Sequence, residues 1–384
     1  MSEDVQGVLA DNEAPKVLNH IERMVAKLCP RGVEYVKVGD IADIGTGSSD
    51  RKDAVPDGEY PFYVRSREVL RSASYLFDEE SVIIPGEGGI GEIFHFVSGK
   101  YNLHQRAYRV SFRVDYINTK FAYYYFAANF KKFILAKSVN ATVKSIRKPM
   151  VQSFQIPVPP LEVQNAIVEI LDKFTELEAE LEAELAARRA QYEYYRNSLF
   201  ENLSGGGSEI LGNLVKIKNG KSYKGFNSGD IPVYGSGGIM TYVDRSAYSG
   251  PSVLIPRKGS IGNIFYVDTP FWNVDTIFYT EINREQVTPK YLYHALQVQN
   301  LSELNTAGGV PSLTQTVLKR VRIPLPSIAE QERIVKILDK FDALVNDISS
   351  GLPAEIEARR KQYEYYRDLL LTFPSASEST EHKH

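Results

Sequence analysis

A second cysteine is missing from the chain. Cys29 stands alone among 384 residues, so no disulfide can form within it, and a reducing compartment, the cytoplasm, is the expected setting. Long apolar runs are missing as well. The opening MSEDVQGVLADNEAPK has neither the basic start nor the apolar stretch of an export signal, and no later run approaches ~18 uncharged apolar residues, so no membrane partner is expected. The six histidines follow no zinc-ligand spacing, and His382 and His384 fall in the polar end SASESTEHKH, which is expected to be unordered. With no metal pattern and no reactive context, Cys29 reads as a small packed thiol.

Catalytic signatures are equally scarce. Asp50, Arg51 and Lys52 have the D-x-K spacing of some nucleases, but Pro56 and Asp57 lie on the wrong side of it and no complete centre follows. A methyl-transfer motif of the NPPF or DPPY kind is absent. The glycine-rich GEGGIG (86 to 91) could cradle a phosphate, but a strand follows it where a nucleotide loop would open a helix, so a tight turn between strands is the better reading.

What is present is a globular composition, 43% hydrophobic and 24% charged, at a length that suits two to four domains. The formal net charge of -3 hides an alternation: -1 for 1 to 32, +3 for 33 to 160, -6 for 161 to 203, 0 for 204 to 208, +4 for 209 to 326, -2 for 327 to 373 and -1 for the tail. Such banding fits two modules that face phosphates, joined by elements that face solvent or protein.

The bands follow a tandem duplication of roughly 170 residues. QNAIVEILDKF (164 to 174) returns as QERIVKILDKF (331 to 341), and ARRAQYEYYR (187 to 196) as ARRKQYEYYR (358 to 367), with four extra residues between the second pair that fall in SSGLP, 349 to 353. Upstream, VIIPGEGGIGEIF (82 to 94) parallels VLIPRKGSIGNIF (253 to 265), and IPVPP (156 to 160) parallels IPLPS (323 to 327). Ile167, Phe174 and Leu181, with Ile170, Leu171, Leu177 and Leu185, trace one apolar helical stripe, repeated at Ile334, Phe341 and Ile348 with Ile337, Leu338, Leu344 and Val345. Each stripe wants a partner, and the copies can supply each other. Pro159 and Pro160 suit the start of the first helix, SGGG (204 to 207) its end, and Gly351 with Pro353 predicts a kink or two segments in the second.

Between the helices, Val, Ile, Tyr and Phe punctuated by Gly, Asn, Asp and Ser predict short strands at Tyr60 to Val64, Ser81 to Ile84, Ile93 to Val97 and Ala107 to Phe112, with helices near Thr119 to Ala136 and Pro289 to Gln299. A helix at Pro15 to Leu28 is expected to pack near the far end of the second long helix. The fold class is α+β: two mixed domains separated by two long helices in an antiparallel coiled coil, a pseudo-twofold tandem repeat. Its segments are a helical lead-in (1–32), a mixed domain (33–160), a helix (161–203), a linker (204–208), a second mixed domain (209–326), a second helix (327–373) and a tail (374–384).

These blocks, IPVPPLEVQNAIVEILDKF and IPLPSIAEQERIVKILDKF, the twin ARRxQYEYYR ends and the opening LCPRGVEYVKVGDI (28 to 41), are those that a type I restriction-modification specificity subunit carries, and the chain resembles that family from about residue 28 to about 373. The resemblance implies that each mixed domain is a target recognition domain reading half of a bipartite double-stranded DNA sequence. It also implies that the helices set the spacer and bind two modification (methyltransferase) subunits and the restriction (endonuclease/translocase) subunits. S-adenosylmethionine, ATP and magnesium would belong to those subunits, with no cofactor bound and no chemistry done by this chain.

Candidate DNA contacts are Lys and Arg mixed with Asn, Gln, Ser and Thr on loops, because cations hold phosphates and amides and hydroxyls read base edges. The first domain offers Thr46, Ser48, Arg51 and Lys52, then Arg65 and Arg67, then His104, Gln105 and Arg106, and last Asn140, Thr142 and Lys144. The second offers Lys218, Asn219, Lys221, Tyr223 and Lys224, then Ser236, Arg257 and Lys258, and Thr306. A surface Lys or Arg on a globular domain is more often solvated than a contact. The twin QYEYYR blocks could stack on bases, but aromatics at helical spacing are more often packing. A protein-assembly scaffold and an autonomous DNA enzyme are the competing readings.

Overall fold

The computed structural model describes residues 14–137, 145–203, 207–304, 311–346 and 351–376. The chain divides into two compact units, one formed by residues 1–180 with 357–384 and the other by 181–356.

In the first unit the elements run α1 (Ala14–Leu28), β1 (Tyr35–Lys37), α2 (Val38–Ile41), β2 (Ala42–Thr46), a 3-10 turn (Arg51–Asp53), β3 (Tyr60–Tyr63), β4 (Val69–Ser72), β5 (Phe77–Pro85), β6 (His95–Leu103), β7 (Ala107–Phe112), α3 (Thr119–Lys137), α4 (Lys148–Ser153), β8 (Gln155–Pro157) and the start of α5 (Leu161–Glu201). Six strands form one sheet in the order β2-β7-β5-β6-β3-β4, antiparallel except where β3 lies parallel to β6. The run VIIP in β5 is covered on both faces. Val82 and Ile84 join Val110, Ile44 and the phenylalanines of α3, while Ile83 turns the other way onto Tyr101, Val97 and Leu103. The strand predicted from Ile93 begins only at His95, because Glu92 still belongs to the glycine turn, its amide donating to the Gly89 carbonyl.

The second unit repeats the plan with β9 (Gly207–Ile210), α6 (Leu211–Leu214), β10 (Val215–Asn219), β11 (Ile231–Gly235), β12 (Gly238–Val243), β13 (Ser252–Pro256), β14 (Phe265–Val267), β15 (Trp272–Asn273), β16 (Ile277–Ile282), α7 (Pro289–Val298), α8 (Gln315–Leu318), β17 (Arg322–Leu325) and α9 (Ile328–Asn346). A last helix, α10 (Leu352–Leu370), follows. The sheets are β10-β16-β13-β14 and β12-β11-β15, and the β9–β17 pair closes this domain as β1–β8 closes the first.

Each mixed domain is fastened to its long helix by a buried glutamine. Gln164 Nε2 donates to the carbonyls of Tyr116 (2.9 Å) and Pro159 (2.7 Å), and its Oε1 accepts the Asn118 amide (2.8 Å). Gln331 does the same with Gln286 and Pro326 (3.0 Å each) and the Thr288 amide (2.9 Å). An ion pair repeats beside it, Lys120 with Asp172 at 2.7 Å and Lys290 with Asp339 at 2.6 Å.

The helical stripe is duplicated as an aromatic contact. In the first unit Phe174 stacks on Tyr366 of α10 at 5.6 Å and 30°, and Glu178 holds Arg360 at 2.6 Å, so the two helices run antiparallel there. In the second unit Tyr195 stacks on Phe341 of α9 at 5.7 Å and 30°. Each copy's phenylalanine thus meets the other copy's tyrosine. The break expected at Gly351 and Pro353 is present: Gly351 is a bend outside any helix, and Pro353 sits in the first turn of α10, where its missing amide costs nothing. Ile348 lies outside the described residues.

α1 packs as expected on the end of α10, Ile21 joining Leu370, Leu371 and Phe373. Residues 374 to 376, which the sequence assigned to an unordered tail, are ordered against the start of the first domain. The Val33 amide donates to Pro374 and the Ala376 amide to Val33, at 2.8 and 3.1 Å, and a Cβ on Gly32 would lie 2.7 Å from the Ser375 backbone. Backbone pairing therefore holds 374 to 376, which their composition cannot show.

Candidate nucleic-acid interface

Four segments converge at one end of the first domain's sheet. Gly47 lets the chain leaving β2 cross β6 closely, since a Cβ there would sit 1.8 Å from the Leu103 carbonyl oxygen. The next residues are then stitched to the β6–β7 turn: the Gln105 amide donates to Ser49 (2.9 Å), and Gln105 Nε2 donates to Asp50 (3.0 Å). His104 is buried at the heart of that turn. Its amide donates to the Tyr63 carbonyl and its Nδ1 accepts the Arg106 amide at 2.9 Å, so the ring shapes the turn, and burial pushes its pKa down.

The turn aims Arg106 outward beside Arg65, which leaves the end of β3. Both guanidiniums donate to Oε2 of Glu87, each at 2.9 Å. Arg106 first, and then Arg65, hold the Glu87 carboxyl below its usual range, so it stays charged. A recess of about 220 Å³ opens here, lined by Arg51, Arg65, Ser66, Glu87, Gly88 and His104. Gly88 has φ +71°, which favours glycine over any side chain.

Of the residues nominated in this domain, Arg51, Arg65 and His104 thus meet at one recess, with Gln105 and Arg106 on its turn. Thr46, Ser48, Lys52 and Arg67 are exposed outside its lining, Arg67 lying near Glu92. Asn140, Thr142 and Lys144 lie outside the described residues, as does Thr306 in the second domain. Glu87 was missed, because in GEGGIG the glycines dominate the reading; the duplication held the clue, since its counterpart is Lys258.

The second domain keeps the scaffold and changes the tips. Gly220 repeats the close crossing, since a Cβ there would sit 2.0 Å from the Val274 carbonyl oxygen, and Gly259 repeats the left-handed turn at φ +77°. The bond from the Gly86 amide to the Arg106 carbonyl (2.9 Å) recurs between Arg257 and Thr276 (2.8 Å). Where the first domain has Arg65, Glu87 and Arg106, this one has Ser236, Lys258 and Thr276, the Ser236 amide donating to Thr276 Oγ1 at 3.3 Å. Arg257 leans on Phe278 (5.8 Å), and Lys258 is exposed. Lys218 is paired with Glu281 at 3.5 Å, and Asn219 accepts from Gln315 at 3.2 Å. Lys221 and Lys224 are exposed, whereas Tyr223 is half-buried and packs, as Trp272 does, against the core of Val233, Val243 and Val274, which favours packing over base stacking.

Among the described residues no group of three His, Cys, Asp or Glu side chains could hold a metal ion, and no helix is long and apolar enough to cross a membrane.

Two domains of one scaffold with divergent, partly basic loop tips, each pinned to a long helix, define a class of paired recognition modules. The family model described as "Type I restriction modification DNA specificity domain" matches residues 30–187 and 210–358, and the chain belongs to that family. A putative type I restriction enzyme specificity subunit of Haemophilus influenzae is 31% identical over 375 residues, 89% of this chain and 96% of that protein. The EcoR124I/EcoR124II specificity subunit of Escherichia coli is 36% identical over 257 residues, 57% of this chain and 63% of the other. Among solved structures, the S subunit of a type I system from M. genitalium has the same fold, with a TM-score of 0.60 at 18% identity, covering 88% of this chain and 96% of that one.

Proposed function

We propose that this chain is the DNA-reading, non-catalytic subunit of a cytoplasmic type I restriction-modification assembly. Each domain reads one half of a bipartite duplex target, and because the two sets of tips differ, the halves differ and the whole target is asymmetric. The observation that carries this reading is one scaffold presenting two different tip chemistries on similarly built mounts. The long helices set the spacer and present their outer faces to two modification subunits and to restriction subunits. S-adenosylmethionine, ATP and magnesium serve those partners.

The test is selection from a pool of random duplexes, with and without the cognate modification subunit. The expected result is one enriched bipartite, asymmetric sequence. No enrichment in either condition would favour a protein-assembly scaffold instead. Incubating the pure chain with DNA, magnesium and S-adenosylmethionine is expected to give neither cleavage nor methyl transfer, and either product would overturn the non-catalytic assignment.

A further inference from the structure

We infer that Arg65, Glu87 and Arg106 form the base-reading element of the first domain, with Glu87 as the positioning residue that fixes two arginines for guanine edges. The inference rests on the DNA-reading assignment above and deepens it.

Three observations carry it. First, the two guanidiniums reach the same carboxylate oxygen at 2.9 Å, although they come from the end of β3 and from the β6–β7 turn. The carboxylate is thus the bridge between two separate backbone segments. All three side chains are partly open to solvent (42%, 57% and 35% exposed for Arg65, Arg106 and Glu87), so the bridge orders the tips more than it stabilises the fold. Second, the supports beneath them are rigid: buried His104 sets the amide of Arg106, and Gly88 packs near the Arg65 carbonyl, its Cβ position 3.4 Å from that oxygen. Third, the second domain keeps the backbone path, the Val274 amide donating to Tyr234 (3.0 Å) as the His104 amide does to Tyr63 (3.0 Å) and Gly259 repeating the left-handed turn of Gly88, while the His104 ring gives way to Val274 and all three tips change at once, to serine, lysine and threonine at 236, 258 and 276. A cluster that held the backbone path in place would be expected wherever that path recurs. A reader of one half-site would not.

The chemistry selects guanine. An arginine held in plane presents two donors to the O6 and N7 acceptors of that base in the major groove. A free arginine samples many rotamers and is drawn to any phosphate. Glu87 opposes both tendencies by restricting the rotamers and by placing a negative charge where a phosphate would otherwise bind.

The experiment uses the full chain with its modification subunit and selects bound sequences from a random duplex pool. Arg65→Ser and Arg106→Thr are each expected to reduce discrimination at one base pair of a single half-site by on the order of tenfold, leaving the other half-site as it was. Glu87→Gln is expected to relax the same half-site while strengthening binding to off-target duplex and steepening its salt dependence. Circular dichroism and assembly with the partner report folding, and exposed tips should leave both unchanged. If the unmodified chain selects a target and the arginine variants weaken every sequence alike, the arginines are phosphate contacts and the inference falls alone. An unchanged profile for Glu87→Gln removes its positioning role. If the unmodified chain enriches nothing, the DNA-reading assignment falls, and this inference with it.

Discussion

Removing the Gln331 clamp should loosen the second unit by an amount that can be worked out in advance. The side chain is fully buried and makes three hydrogen bonds, to the Thr288 amide and to the carbonyls of Gln286 and Pro326. Gln331→Leu keeps most of the volume and orphans those three backbone groups. At about 1 kcal/mol net for each bond, the loss is about 3 kcal/mol. With a urea dependence of about 2 kcal/mol per molar for a unit of this size, the midpoint should fall by about 1.5 M. The assay is built in: Trp272 is the chain's one tryptophan, lies in the same unit and donates through Nε1 to the Lys221 carbonyl, so its fluorescence follows this unit. Gln331→Glu sharpens the test. It keeps an oxygen for the Thr288 amide but turns the donor into a second acceptor against two carbonyls, so at neutral pH it should cost at least as much, and less on acidification as the carboxyl regains a proton. A midpoint shift below about 0.3 M for both variants would refute the clamp.

Four further residues inserted beside Leu181 in α5 add about 6 Å of rise. They should lengthen the selected spacer by one or two base pairs without altering either half-site, and altered half-site bases would refute the ruler. Lys224→Ala, at an exposed loop cation, should weaken binding about equally for all sequences and lower the salt slope by about one, read by titration at several salt concentrations. His294 is buried between Tyr192 (3.2 Å) and Asp339 (3.5 Å), and burial pushes its pKa below the ordinary 6.5 despite that carboxylate. Its contribution is complete above pH 6.5 and is lost as pH falls through the depressed value. The Trp272 midpoint should therefore drop on acidification, and less so in His294→Tyr, which copies the tyrosine found at the matching place, Tyr124.

The parts of this fold legible in the sequence were those written twice. QNAIVEILDKF and its copy exposed the helices and their partnership, because an apolar stripe must be covered and the repeat supplied the cover. Local signals also sufficed for the break at Gly351 and Pro353 and for the four strands named in the first domain, one of which begins two residues late. What stayed hidden depends on backbone geometry that residue type does not encode. His104 looks like a polar loop residue, yet its ring is enclosed by the turn it makes. Tyr223 sits among lysines and still packs inward. Residues 374 to 376 look like a tail, but Val33 lies alongside to bind them. Glu87 is one acid among glycines, and only the converging arginines, 22 and 19 residues away in sequence, give it a role.

The contrast between kept supports and changed tips has an energetic consequence that can be tested directly. A tip such as Arg65 or Arg106 contributes an exposed ion pair, and surface substitutions of this kind usually change stability by no more than about 0.5 kcal/mol. A support is different in kind. Any side chain at Gly47 would overlap the Leu103 carbonyl, 1.8 Å from its Cβ, so β2 or β6 would have to move. The same holds at Gly220 against Val274, at 2.0 Å. On the reading proposed above, specificity can drift at positions 65, 87 and 106 while the domain stays folded, and one scaffold can serve two half-sites in a single chain. A library randomised at those three positions should yield mostly folded proteins with varied or weakened first half-sites, scored by protease resistance and then by selection on random duplex. Randomising 47 should yield few folded members besides glycine. Equal protease sensitivity in the two libraries would show that tips and supports are not separable, and the division of labour drawn from the duplication would be wrong.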